Sequence, residues 1–250
     1  RSTLHPTSRN FRTVGSIDNV TIDLNGFRVG GYPGAQDGIR ATGQTWQNIT
    51  IHNGTVGPFD GAGIFVSGGI GVNHDGTRLY DLSISNCHDG ILASGWASIR
   101  NTNVSKCATE GIYCSGGSVI SDCVVSQCDN GILVNKSSVV ERCLADSNIG
   151  NGISAGEQCV LRQNTCSNNG SDGIGAGINI SDGDETRVEG NHCTQNPYGI
   201  RVNSGRPFLF GNTCAKNAVS WFLNSGTVHG PIVDRTSPGS PPPLAPDGPS

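Results

Sequence analysis

The chain has 250 residues, of which 37 are glycine and none methionine; only 14% are charged, and 16 basic against 20 acidic side chains leave a formal charge of −4. That balance offers no basic face for a nucleic acid. No apolar run approaches the length of a membrane span, and glycine lacks the three-residue period of a collagen.

The chain opens Arg1-Ser2-Thr3 without methionine, which is the expectation for a processed or trimmed fragment whose targeting segment lies elsewhere. Residues 1–15 carry no repeat and are expected to cap the first coil or to act as a leader. The first strand is expected within "NVTIDLNGF", Asn19 to Phe27. Gly-Ile pairs then recur at Gly38-Ile39, Gly63-Ile64, Gly90-Ile91, Gly111-Ile112, Gly131-Ile132, Gly152-Ile153, Gly177-Ile178 and Gly199-Ile200, at intervals of 25, 27, 21, 20, 21, 25 and 22 residues. Two further pairs, ending at Ile70 and Ile174, fall out of register. A period of this length signals stacked supersecondary units. Leucine-rich repeats share it, but the spaced leucines and the helix they need are missing.

Each unit contains three short strand-like pieces, for example Gly131 to Val134, Val139-Val140 and Cys143 to Ala145, separated by turns rich in Gly, Ser, Asn and Asp. Three strands per turn, each pairing with its copy in the next, predict an all-β, single-stranded, right-handed parallel β-helix of about nine coils over residues 16–234. Alternation points Ile132 and Val134 inward and Leu133 outward. Asn164, Asn191 and Asn212 mark one column; Asn148, Asn169, Asn196 and Asn217 mark another, which continues Cys87, Cys107 and Cys128. Stacked amides can bond from coil to coil at a buried corner. Cys123 and Cys143 are assigned a third position, and Cys166, Cys193 and Cys214 another. In-register neighbours about 4.8 Å apart could be bridged; the favoured reading is buried thiols acting as small hydrophobes. Without a Cys-x-x-Cys pair, a metal held by cysteine is not expected. Residues 235–250, including "SPGSPPPLAPDGPS", read as an extended proline-rich tail.

Side chains alternating outward from the Gly-Ile strands are Arg40, Phe65, Leu92, Tyr113, Leu133, Ser154, Asn179 and Arg201. Aromatic faces pack on sugar rings and arginine grips carboxylates, so this row suits an extended polymer; a face covered by a loop or partner is the competing reading. The long gap from Val66 to Asp81 is expected to bring His74, Asp75 and Arg78 toward Trp96 of the next coil, an acid/base and stacking set. Just before the Gly-Ile pairs stand Asp37, Asp89, Glu110 and, displaced, Asp129. Asp89 and Glu110 should be neighbours at about 5 Å, able to bind calcium or to serve as paired acids, with His88 adjacent. Turn chemistry explains the same acids, since Asp and Asn favour the residue before Gly. Asp182, Asp184 and Glu185 form a third acidic loop without EF-hand spacing.

The stretch "NVTIDLNGF", the recurring Asn…Asn…Gly-Ile pattern and "GPIV" (Gly230 to Val233) resemble bacterial right-handed β-helix repeat proteins of the pectate-lyase-like superfamily, over residues 16–234. The resemblance implies a secreted or envelope protein that binds or processes a polysaccharide and, if it is an enzyme, acts as a lyase or glycoside hydrolase. In that reading the acid and base come from His74, Asp75, Arg78, His88, Asp89 and Glu110. Phe65, Trp96 and Tyr113 stack sugars, Arg40, Asn179 and Arg201 hold substrate, and calcium is the one cofactor considered. Departures from the family patterns put catalysis in doubt: no Arg-x-Pro-x-x-Arg, Asn-Thr-Asp, Gly-His-Gly or Asp-Pro-His segment occurs. The alternative is a non-catalytic structural or adhesive solenoid. Fold alone does not choose between them.

Overall fold

The computed structural model describes residues 11–14, 19–43, 48–68, 76–232 and 234–235. Among them are 28 strands and no helix. Ten strands form one parallel sheet, in chain order Phe11–Val14, Ile39–Gly43, Phe59–Gly68, Cys87–Ala93, Glu110–Cys114, Asn130–Lys136, Ile153–Glu157, Ala176–Ile180, Tyr198–Val202 and Val219–Phe222. This is the Gly-Ile sheet, and nine turns of chain separate its ten strands. A second, 18-stranded parallel sheet wraps the remaining sides with two strands per coil, such as Val139–Glu141 and Leu144–Asp146. In two early coils these fuse into single strands, Thr50–Val56 and Thr77–Ser85. The molecule is a parallel β-solenoid with the predicted strand pieces, except that its first strand, Phe11–Val14, pairs in register with Ile39–Gly43 and lies within residues 1–15, which were expected to carry no repeat.

Register follows the Gly-Ile pairs. Ile39, Ile64, Ile91, Ile112, Ile132, Ile153, Ile178 and Ile200 pair one above another, and all eight are buried. From the second sheet Ile51, Leu79, Ile99, Ile120, Val140, Leu161, Val188 and Leu209 meet them in a single core. A fully buried isoleucine contributes about 1.5–3 kcal/mol, but only when coils above and below exclude water. A single coil buries too little, which is why the sequence repeats.

The corners turn by backbone rather than by side chain. At the corner entering the Gly-Ile sheet, Asn86, Lys106, Gln127, Ser147, Asn168, Gln195 and Lys216 all have φ between +55° and +58°. Asp81, Asn101, Asp122, Arg142 and Gln163, along the second sheet, have φ between +47° and +57°, and Trp96, Ser137, Gln158 and Glu185, at the remaining corner, between +50° and +59°. One left-handed residue per corner swings the chain, and its successor points into the core.

That successor satisfies the backbone of the neighbouring coil. The amide oxygens of Asn148, Asn169, Asn196 and Asn217 accept the N–H of Cys128, Asn148, Asn169 and Asn196 at 2.9–3.2 Å. Their Nδ2 groups donate to the carbonyls of Val125, Ala145, Cys166 and Cys193 at 2.9–3.3 Å. Asn164, Asn191 and Asn212 repeat the pattern for Cys143, Asn164 and Asn191. Hydroxyls do this at the remaining corner, where Ser118 and Thr186 accept from Ala97 and Cys159 at 3.0 and 3.1 Å. Cys123 and Cys143, expected at a position of their own, stand in the Asn164 column. All ten cysteines are buried free thiols. Burial, the largest influence on both, pushes the Cys87 thiol up to about 11 and the Cys114 thiol up to about 12.

Candidate functional site

The predicted outward row is continuous in register. Arg40, Phe65, Leu92, Tyr113, Leu133, Ser154, Asn179 and Arg201 pair strand by strand, and the row ends on Phe222. Its members differ in accessibility. Phe65, Leu92, Tyr113 and Leu133 are half-buried and face outward. Asn135 donates to the Tyr113 hydroxyl at 3.0 Å, which holds the ring in place. Arg40 lies 4.5 Å over the Phe65 ring and 2.6 Å from Asp37, so its charge is already matched at one end of the row.

Asn179 is not the open contact expected of it. It is 7% exposed, as is Ser154, and its side-chain oxygen accepts from Arg201 Nε at 2.8 Å and Asn203 Nδ2 at 3.1 Å. Arg201 in turn donates from Nη1 to the Ile174 carbonyl at 2.6 Å and from Nη2 toward Asn151 Oδ1 at 3.4 Å. The competing expectation of a self-covered face therefore holds for this half of the row, because residues 168–175 make an excursion that Arg201 clamps.

His88, Asp89 and Glu110 lie beside the accessible half. The strand Cys87–Ala93 begins after the left-handed Asn86, which sets Cys87 inward and His88 outward. His88 Nδ1 is 3.2 Å from Asp89 Oδ2. The Thr109 hydroxyl, one coil on, bonds Asp89 Oδ1 and lies 3.0 Å from the His88 carbonyl oxygen. Asp89 and Glu110 stand two residues before the paired Ile91 and Ile112, so their strands place them one coil apart, at about 4.8 Å. Glu110 has no side-chain partner among the described residues. With both Asp89 oxygens engaged, the carboxylate accepts from Nδ1–H of His88 and leaves Nε2 as the free, basic nitrogen. His88 is 53% exposed, so that nitrogen meets solvent.

An open groove runs along this corner, lined by Phe59, Asp60, Asn86, His88, Lys106 and Gln127 among others. It adds a cation, Lys106, and an acid, Asp60, beside His88. Sequence reasoning missed Thr109, Lys106 and Asp60. Counting back from the Ile112–Ile91 pair would have set Thr109 on His88, since both precede isoleucine by three residues.

The other predicted residues do not join this cluster. His74 and Asp75 lie outside the described residues. Arg78 sits in Thr77–Ser85, beside Thr50 and Ser98 in the second sheet, and is exposed on a different side of the coil. The cause is Gly76, whose φ of +93° turns the chain before Arg78 rather than after it. Trp96 is a corner residue, 57% exposed, lying so close to Gly117 that a Cβ there would stand 3.0 Å from its ring. It occupies the far end of the Gly-Ile strand from Asp89, roughly 20 Å along the chain. Among the described residues no group of three or more His, Cys, Asp or Glu is placed to hold a metal ion, and Asp89 with Glu110 is a pair only.

A family model, the right-handed β-helix region, matches residues 68–219. Among solved structures the chain is similar to the A-module of the mannuronan C-5 epimerase AlgE4 of Azotobacter vinelandii, with 12% identity, a TM-score of 0.51, and coverage of 88% of this chain and 83% of that one. At that identity the likeness is one of fold. A comparison with curated proteins gave no match.

Proposed function

Since the chain belongs to the right-handed β-helix family, we propose that it binds a polysaccharide along the accessible half of its Gly-Ile face and processes it at His88. The observation that carries this reading is a row of apolar and aromatic side chains, Phe65, Leu92, Tyr113 and Leu133, running beside a histidine whose Nδ1 is held by a carboxylate. Sugar rings stack on Phe65 and Tyr113. His88 Nε2 accepts a proton from the bound sugar, with Asp89 stabilising the imidazolium. On a uronic acid, removing the proton next to the carboxylate places its electron pair in a new C=C bond. The glycosidic C–O bond breaks, and the leaving oxygen takes a proton from water. Lys106 in the adjoining groove neutralises the sugar carboxylate. A lyase is favoured over a retaining hydrolase that uses Asp89 as its nucleophile, because both Asp89 oxygens are already bonded. Calcium, if used, would take one or two oxygens from Glu110 and Asp89 and most of its six to eight from sugar and water. The same reading puts the protein outside the cell or in its envelope, where such polymers are met.

The test is a panel of neutral and uronic-acid polymers, with calcium and with chelator. Ultraviolet absorbance from new unsaturated ends is the expected result, and His88→Gln should lower the rate by about 10²–10⁴-fold with the fold intact. Reducing ends without absorbance would move the chemistry to Asp89 and Glu110 as a hydrolase. Binding without turnover would leave a carbohydrate-binding solenoid, and neither binding nor turnover would favour the structural module.

A further inference from the structure

The accessible row stops abruptly. Beyond Leu133, Ser154 and Asn179 are 7% exposed, although alternation points both outward. Arg201 lies across Asn179 and reaches the coil of Ser154 at Asn151, and it fixes the carbonyl of Ile174 at 2.6 Å. The excursion is also braced from within, where Asp172 Oδ1 accepts the N–H groups of Ile174 and Gly175 at 2.9 and 2.8 Å. Its exit is tied to the preceding coil, where Asn151 Oδ1 accepts the N–H of Ala176 at 2.9 Å. The backbone packs closely: a Cβ on Gly175 would meet the Gly150 carbonyl oxygen at 2.3 Å. At the tip Ile174 is 68% exposed. This is a hydrogen-bonded obstacle standing on the face, not a tail lying over it.

We infer that this clamp closes one end of the binding face, so that the protein takes the ends of polysaccharide chains rather than their interiors. The inference rests on the proposed carbohydrate reading and specifies its substrate. A polymer following the row from Phe65 has no path past Leu133. Two strands, Glu110–Cys114 and Asn130–Lys136, separate the His88 strand from the covered Ile153–Glu157. With one ring per coil at roughly 4.8 Å, two rings fit between His88 and the obstacle. Cleavage at His88 then releases short fragments from the first turnover.

Chain-end recognition has a signature that needs neither turnover nor a variant. Mannuronan, polygalacturonate and a neutral glucan are each titrated by calorimetry at fixed mass, intact and after shearing. If only ends bind, the sites per gram rise in proportion to the ends created. If interiors bind, sites per gram stay constant on shearing, and the inference is overturned while the carbohydrate reading stands. If no polymer binds in either form, the proposed function fails and takes the inference with it. Arg201→Ala, checked for fold by circular dichroism, should weaken the dependence on shearing by releasing Ile174. Retention of the full dependence in that variant would remove Arg201 from the role.

Discussion

The two halves of the solenoid solve the same corner problem with different side chains. From Cys87 to Cys143 the inward residues after the corners are cysteine, serine, threonine and, at Ala97, alanine. From Asn148 onward two of the three columns are asparagine. An amide accepts a backbone N–H of the preceding coil and donates to a carbonyl of that same coil, closing two buried groups at once. A thiol at the same place donates weakly within its own coil, as Cys128 does to the Ser126 carbonyl at 3.4 Å, and otherwise fills space. The outer faces divide at nearly the same point, open along Phe65 to Leu133 and clamped from Ser154 to Arg201. The half with the stronger corner bonds is also the half that spends its outward side chains on itself. The weaker half leaves them open.

Removing one side chain from each corner should break or sharpen that comparison. Asn169→Ala strands the Asn148 N–H and the Ala145 carbonyl in the core, which should cost about 2–5 kcal/mol in denaturant unfolding. Cys128→Ala should cost roughly 1 kcal/mol. Equal losses would show that the amide column does no more than fill volume. On the outer face the asymmetry runs the other way. Tyr113→Ala should weaken binding of the responsive polymer by about 0.5–1.5 kcal/mol, while Ser154→Ala, beneath the clamp, should leave it unchanged. A loss at Ser154 equal to that at Tyr113 would mean the covered half is reached after all.

The smallest effect is a pH dependence. Burial raises the Asp146 carboxyl, but hydrogen bonds from Ser167 at 2.6 Å, Asn168 at 2.9 Å and Ser147 at 2.8 Å outweigh it and hold the group below its ordinary value of 3.8. A carboxyl lowered on folding adds stability above its unfolded value and loses it as pH falls through the folded one. Melting temperature should therefore fall in acid more steeply for the native chain than for Asp146→Asn. Parallel curves would remove Asp146 from the ledger of acid sensitivity.

Much of the fold was legible because the Gly-Ile pairs count out the register directly, and every outward residue named from them, Arg40 through Arg201, is in line. The asparagine columns were legible for the same reason, since one residue type recurs. The hydroxyl column of Ser118, Ser138 and Thr186 was not, because its chemistry is shared while its residues change. Corner geometry was hidden more deeply: Trp96, Lys106, Arg142 and Glu185 adopt φ near +55° against their intrinsic preference, and only contacts from adjacent coils impose it. Site residues fared less evenly. Spacing set His88, Asp89 and Glu110 side by side, as the structure places them, whereas the place of Arg78 depended on one glycine. The burial of Asn179 depended on where residues 168–175 travel, which no local pattern announces.

The inward residue at each corner bonds within its own coil or to an adjacent one, never further, and this bears on inheritance. An in-frame duplication of about 21 residues, say from one Gly-Ile pair to the next, would supply its own strands, corners and partners and would disturb nothing but its two seams. Placed between Tyr113 and Leu133, it would move the clamp one spacing from His88, roughly 4.8 Å, and lengthen the released fragment by one sugar. Product length in such a lineage would change in whole steps, set by how many times a segment had been copied.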